Sequence, residues 1–113
     1  MSIVVNIYYS GQGGAARAFA EEMVATKLVD EIRKEEGCLR YEYFFPMDDR
    51  ETVLLIDEWR DQEAIDLHHK TELMSKISEL RKKYDLTMKV ERFQPIEVPY
   101  ADQAYIIHNH KIK

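Results

Sequence analysis

The chain has 113 residues, with 16 Lys and Arg against 21 Asp and Glu, for a formal net charge of −5. A length of this order fits one domain with one modest core and excludes two. The acidic balance opposes a nucleic-acid-binding surface, and a single cysteine excludes both an intrachain disulfide and a cysteine-based zinc site. With 45% hydrophobic and 33% charged residues, the composition is that of a folded domain. The first residues lack the basic region and long apolar run of a secretory signal. No run of roughly 18 apolar residues is present either. The expectation is a cytoplasmic protein without a membrane segment.

Residues 3–9 are β-branched and aromatic and predict a strand, with Ile3, Val5, Ile7 and Tyr9 on one face and Val4, Asn6 and Tyr8 on the other. A glycine-rich turn over 10–14 ends it. This turn lacks the Lys-Ser/Thr of a phosphate-binding loop and the spacing of a dinucleotide fingerprint. Residues 15–36 read as one helix, from the i, i+4 pairs Phe19/Met23 and Leu28/Ile32, with an irregularity at Thr26. Gly37 is the natural stop, because glycine takes the left-handed conformation without a Cβ penalty. Residues 39–45 and 52–59 predict two strands joined by a turn at 46–50, an antiparallel hairpin. In the second of these, Val53, Leu55, Asp57 and Trp59 share a face.

Asp61 is placed to N-cap a helix beginning at Gln62, and Thr71 a second segment carrying Leu73, Ile77, Leu80 and Tyr84 on one face. Residues 86–93 alternate, with Leu86, Met88 and Val90 on a buried face. The order βαββαβ predicts an α+β, ferredoxin-like fold, a four-stranded antiparallel sheet with both helices on one side. Since neither face of the first strand is polar, the opposite sheet face needs a cover as well. A second copy of the chain is the simplest candidate. The domain is expected over 1–94. Residues 95–113 form an extension kept extended by Pro95 and Pro99, with a short strand at 105–107 contacting the partner subunit.

The run Glu35-Glu36-Gly37-Cys38-Leu39-Arg40-Tyr41-Glu42, then residues 53–59 ending in Glu58-Trp59, then 61–68 with Asp61, Ala64, Ile65 and His68 in order, resembles the antibiotic biosynthesis monooxygenase family. The resemblance implies a dimeric α+β barrel with a pocket between sheet and helices in each subunit. Its members include cofactor-independent oxygenases of quinols and polyketide aromatics, haem-degrading proteins and isomerases of small metabolites, so it predicts fold better than reaction. It points to a monooxygenase acting on a small aromatic or quinol-type substrate without a cofactor or metal. The alternatives are a non-catalytic ligand-binding dimer, or an isomerase whose pocket would need a basic residue. Two departures bear on the reaction. Leu73 stands where many members carry a second histidine, and Ile65 where the polyketide-oxidising pattern has tyrosine.

Three residues are candidates for catalysis. Trp59 either stacks on a planar substrate and donates its indole N–H, or closes the barrel core. Asn6 is a polar intrusion in an apolar strand, and the resemblance implies that it reaches the pocket. Otherwise it pairs with backbone. His68, on the face of Ala64 and Ile65, suits proton transfer near neutral pH, against the reading of a partly exposed helix histidine. Asp57, Tyr8, Phe44 and Ile65 are the expected substrate contacts, and Asp57 is expected to orient His68 or a substrate hydroxyl. Glu58 points the other way, toward a dimer contact. His69 reads as solvated and Cys38 as buried and inert. Asp102, His108 and His110 suggest a metal site, but two histidines without a third fixed ligand are a weak signal.

Overall fold

The computed structural model describes residues 1–107. His108 and His110, two of the residues of the metal site suggested above, lie outside the described residues. The elements are β1 (Ile3–Ser10), α1 (Ala15–Ala25), α2 (Leu28–Arg33), β2 (Cys38–Phe44), β3 (Thr52–Trp59), α3 (Gln62–His69), α4 (Leu73–Lys83) and β4 (Thr87–Phe93), followed by a 3-10 helix, Tyr100–Tyr105. The strands form one antiparallel sheet in the order β2-β3-β1-β4. The helices cover one face of it, so the fold is ferredoxin-like α+β.

Side-chain alternation sets the two faces of the sheet. Val5, Tyr9, Tyr41, Val53, Leu55, Asp57 and Trp59 are buried under the helices. In register with them on the other side are Asn6, Tyr8, Leu54 and Ile56, all half-buried, and Phe44, which is exposed. The core joins Phe19, Met23, Ile32 and Ile77 from the helices to Tyr9, Leu55 and Trp59. Tyr9 and Phe19 pack with ring centroids 4.8 Å apart.

The single helix expected over 15–36 is two. Lys27 takes a left-handed conformation, φ 69°, between α1 and α2. The Thr26 hydroxyl donates back to the Glu22 carbonyl at 2.6 Å, a local bond that competes with helix propagation. The break turns Leu28, Val29 and Ile32 into the core. Asp61 caps α3 as expected, its Oδ1 accepting from the Ala64 amide at 2.9 Å. Thr71 does not cap α4. Its hydroxyl donates to the His68 carbonyl at 2.8 Å and closes the end of α3 instead.

Two further expectations are corrected. Met88 and Val90 are 40% and 51% exposed, because the helix-side face of edge strand β4 overhangs an open cavity. The strand expected at 105–107 is absent, since residues 100–105 coil into the 3-10 helix.

Candidate functional site

Helix α3 packs on β3, while α4 packs on α1 and leaves a gap over β1 and β4. That gap is a pocket of about 320 Å³, at the small end of the ~300–1,000 Å³ typical of ligand sites. Val5, Ile7 and Tyr9 form its floor, Met74 and Ile77 its roof, and Met88 and Val90 its open edge.

At one end the apolar lining gives way to a polar chain. Trp59 is 1% exposed, and its indole N–H donates to Asp57 Oδ2 at 2.6 Å. The other carboxyl oxygen, Oδ1, is buried without a hydrogen-bond partner among the described residues. Burial pushes the Asp57 carboxyl up to about 6, against the opposing pull of the indole N–H bond. The His68 ring lies on Trp59, with centroids 4.6 Å apart and planes tilted by 31°. His68 Nδ1 is 2.8 Å from Glu35 Oε1. A carboxylate partner fixes the tautomer with the proton on Nδ1 and leaves Nε2 as the basic nitrogen. Burial lowers the His68 pKa, with Glu35 acting in the opposite sense, so the imidazole is neutral at pH 7.

Glu35 reaches His68 because of the turn that follows it. Gly37 has φ 86°, and its backbone lies so close to α3 that an added Cβ would stand 2.5 Å from Ala64 Cβ. The Gly37 carbonyl accepts from the Arg60 amide at 2.7 Å. The end of α2 is thereby held against the start of α3.

The pocket mouth carries two guanidinium groups. Arg81 of α4 and Arg92 of β4 both line it, with Gln62 and His69 beside them. Arg92 Nη2 donates to Gln62 Oε1 at 2.7 Å, and Arg81 Nη1 lies 2.9 Å from Met88 Sδ. The floor hydroxyl of Tyr9 is pushed up to about 12 by burial, so it stays protonated at neutral pH. Half-buried Cys38, away from the pocket, has its thiol raised to about 11 by the same cause.

Of the residues singled out from sequence, the pocket brings together Trp59, His68, Asp57 and Ile65. Asn6, Tyr8 and Phe44 are not among its lining. Alternation places all three on the opposite sheet face, where Lys89 lies over the Tyr8 ring at 5.8 Å and Arg40 over the Phe44 ring at 5.5 Å. Asn6 Oδ1 is buried there without a partner among the described residues. Two roles also change. The indole N–H of Trp59 is engaged by Asp57 and is not offered to a ligand, and His68 is oriented by Glu35 rather than by Asp57. Glu58 faces the open side as expected, accepting from the Ser2 hydroxyl at 2.6 Å. His69 is exposed but borders the mouth.

Glu35, Arg81 and Arg92 were missed. Arg81 was within reach of periodicity, four residues beyond Ile77, and Arg92 continues the Met88, Val90 alternation. Glu35 had no signal, because its contact spans 33 residues and depends on the Gly37 turn.

Comparison with known proteins places the chain in a family. The model of the family described as antibiotic biosynthesis monooxygenase matches residues 2–80, and the chain belongs to that family. Among solved structures it is similar to PA3566 from Pseudomonas aeruginosa, at 26% identity over 85% of this chain and 95% of that one, with a TM-score of 0.72. It is also similar to a protein of unknown function and possible oxidoreductase from Bacteroides thetaiotaomicron (24% identity, 81% and 95% covered, TM-score 0.70). SnoaB, a cofactor-independent oxygenase from Streptomyces nogalater, shares the fold at 14% identity, 86% and 95% coverage and a TM-score of 0.71. A comparison with curated protein sequences finds no match. Among the described residues, no helix is long and apolar enough to cross a membrane, and no three His, Cys, Asp or Glu side chains gather as metal ligands would.

Proposed function

We propose that the chain is a cofactor-independent monooxygenase acting on a small aromatic or quinol-type substrate in the pocket beside Trp59. The observation that carries this reading is the stacked Trp59–His68 wall, with its Asp57 and Glu35 partners, at the end of an apolar cavity of about 320 Å³. A planar ring fits between apolar floor and roof with its hydroxyl toward His68. His68 Nε2 takes the hydroxyl proton, and the Glu35 carboxylate stabilises the imidazolium that forms. The arenolate is electron-rich and transfers one electron to O₂. The radical pair joins through a new C–O bond to a ring carbon, the peroxide anion takes the proton back from His68, and the hydroperoxide loses water to leave a quinone. One oxygen atom enters the product and the other leaves as water, and the substrate supplies the electrons.

Metal-free protein incubated with hydroquinones and naphthols tests this. Oxygen uptake above the spontaneous rate is expected for the wild type. In His68→Ala it should fall on the order of 100-fold or more, the usual contribution of a positioned base. Uptake should also show an acidic limb below pH 6.5, where His68 gains its proton, and that limb should vanish in the variant. No uptake by the wild type, or full activity of the variant, contradicts the reading.

The functional unit we propose is a homodimer. The sheet face bearing Val4, Asn6, Tyr8, Leu54, Ile56, Phe44 and Phe93 is turned away from the helices and left half-buried or exposed among the described residues, and a second sheet packed on it would supply a cover.

A further inference from the structure

We infer that the pocket selects an aromatic carboxylate, with Arg81 and Arg92 receiving the carboxylate at the mouth while the ring lies in the apolar interior. The inference rests on the pocket being the substrate site and adds a class of substrate to it.

Three observations converge. First, the chain carries a net charge of −5, yet beside its histidines and tyrosines this wall carries two arginines and one acid, Asp57. Second, neither arginine is in an ion pair among the described residues, whereas Arg40 pairs with Glu42, and Arg60 with Glu36 and Asp61; Arg17, Arg33 and Arg50 are likewise in no ion pair. Third, Arg81 Nε is buried with no hydrogen-bond partner among the described residues, and its Nη1 meets only the weak thioether acceptor of Met88. A buried guanidinium N–H without an acceptor carries a desolvation penalty, which an incoming anion removes. The planar fork of arginine matches a carboxylate in two parallel bonds, a geometry that a neutral hydroxyl cannot return.

Different side chains of the pocket then recognise different parts of one molecule, with Arg81 beside Met88 and Arg92 in the cross-strand row of Val5 and Asp57. Arg81 and Arg92 come from α4 and β4, whereas Trp59, His68 and Asp57 come from β3 and α3. A hydroxylated aromatic acid spans them, with its carboxylate at the mouth and its hydroxyl toward His68. Asp57, the one carboxyl on the wall, accepts from the indole N–H and makes no direct ion pair with either arginine among the described residues, although Arg92 draws its burial-raised carboxyl pKa down from a distance.

Trp59 is the chain's single tryptophan, so its fluorescence reports the pocket without any turnover. The experiment titrates wild-type protein with 2-naphthoate and with its neutral counterpart 2-naphthalenemethanol, and repeats both with Arg81→Gln/Arg92→Gln. The naphthoate should bind at least about tenfold more tightly than the alcohol to the wild type, and the double variant should lose that preference while holding the alcohol within about twofold. Equal affinity for the two probes, tighter binding of the alcohol, no binding of naphthoate, or an unchanged preference in the variant would each overturn the inference. The wild-type comparison stands even where the variant fails to fold. Because binding is read without oxygen chemistry, failure of oxygen uptake and failure of carboxylate selection are separate results.

Discussion

At the residue scale, two buried ionisable groups of the pocket, Asp57 and His68, pull stability in opposite directions with pH. The folded protein holds the Asp57 carboxyl up at about 6 against an ordinary 3.8, because burial disfavours its charge. Between those values the folded chain keeps a proton that the unfolded chain has lost. Asp57 therefore destabilises progressively as pH rises through this window, and its full cost, on the order of 3 kcal/mol, is present above pH 6. His68 is lowered below 6.5, so the unfolded chain binds more protons there and stability rises with pH through that range. Asp57→Asn keeps an acceptor for the Trp59 indole N–H and removes only the first effect. The melting temperature of the variant minus that of the wild type should then be several degrees more positive at pH 8 than at pH 4. An offset that does not change with pH would show that Asp57 is not held protonated by the fold.

At the element scale, what places the site is the junction of α2, β2 and α3. Gly37→Ala should cost about 2–4 kcal/mol, because it combines a left-handed φ with a Cβ driven into Ala64. Gly13 offers the control: its φ is 64°, but nothing lies within 4 Å of an added Cβ, so Gly13→Ala should cost about 1 kcal/mol. Denaturant titration of both variants checks the difference, and equal losses would remove the close approach as the cause.

The same junction shows how much of the molecule was legible in its sequence. Strands β1 and β3 were legible because β-branched and other apolar residues dominate them between turn signals, and α3 because Asp61 precedes a periodic run. The break was legible in part: α1 ends at Thr26, where an irregularity is expected, but a lysine in the left-handed region at position 27 carries no composition signal, so the second helix was not separated from the first. The order βαββαβ required no long-range knowledge, whereas the Glu35–His68 contact did. Asn6 was drawn toward the pocket by resemblance, and Tyr8 and Phe44 were expected there as aromatic substrate contacts, although their own alternation with Val5, Tyr9 and Tyr43 already set them on the other face. Where family pattern and local geometry disagreed, period two was the better guide. Edge strand β4 misled in the opposite sense. Its alternation marked the correct face, but that face borders a cavity and is not closed by packing.

At the scale of the whole molecule, the covered and uncovered faces of one sheet divide the work. The covered face holds the pocket. The other, half-buried and bearing Tyr8, Leu54, Ile56 and Phe93, is expected to pack on its equal in a second chain. Light scattering at micromolar concentration should therefore give about 27 kDa, twice the 13.4 kDa of the chain. A mass near 13 kDa would leave the open face without the partner proposed for it. Replacing Phe44 with Glu should weaken that dimer, because it buries a charge between two sheets, while a monomer would be indifferent to the change.

The central claim is that the pocket beside Trp59 and His68 oxygenates its substrate with O₂. The most direct measurement is the stoichiometry of oxygen use on whichever naphthol or hydroxylated aromatic acid supports uptake. Monooxygenation predicts one O₂ consumed and one quinone formed per turnover, with no hydrogen peroxide released and with the rate lost in His68→Ala. Hydrogen peroxide formed in step with product, or a rate that His68→Ala leaves unchanged, would contradict it.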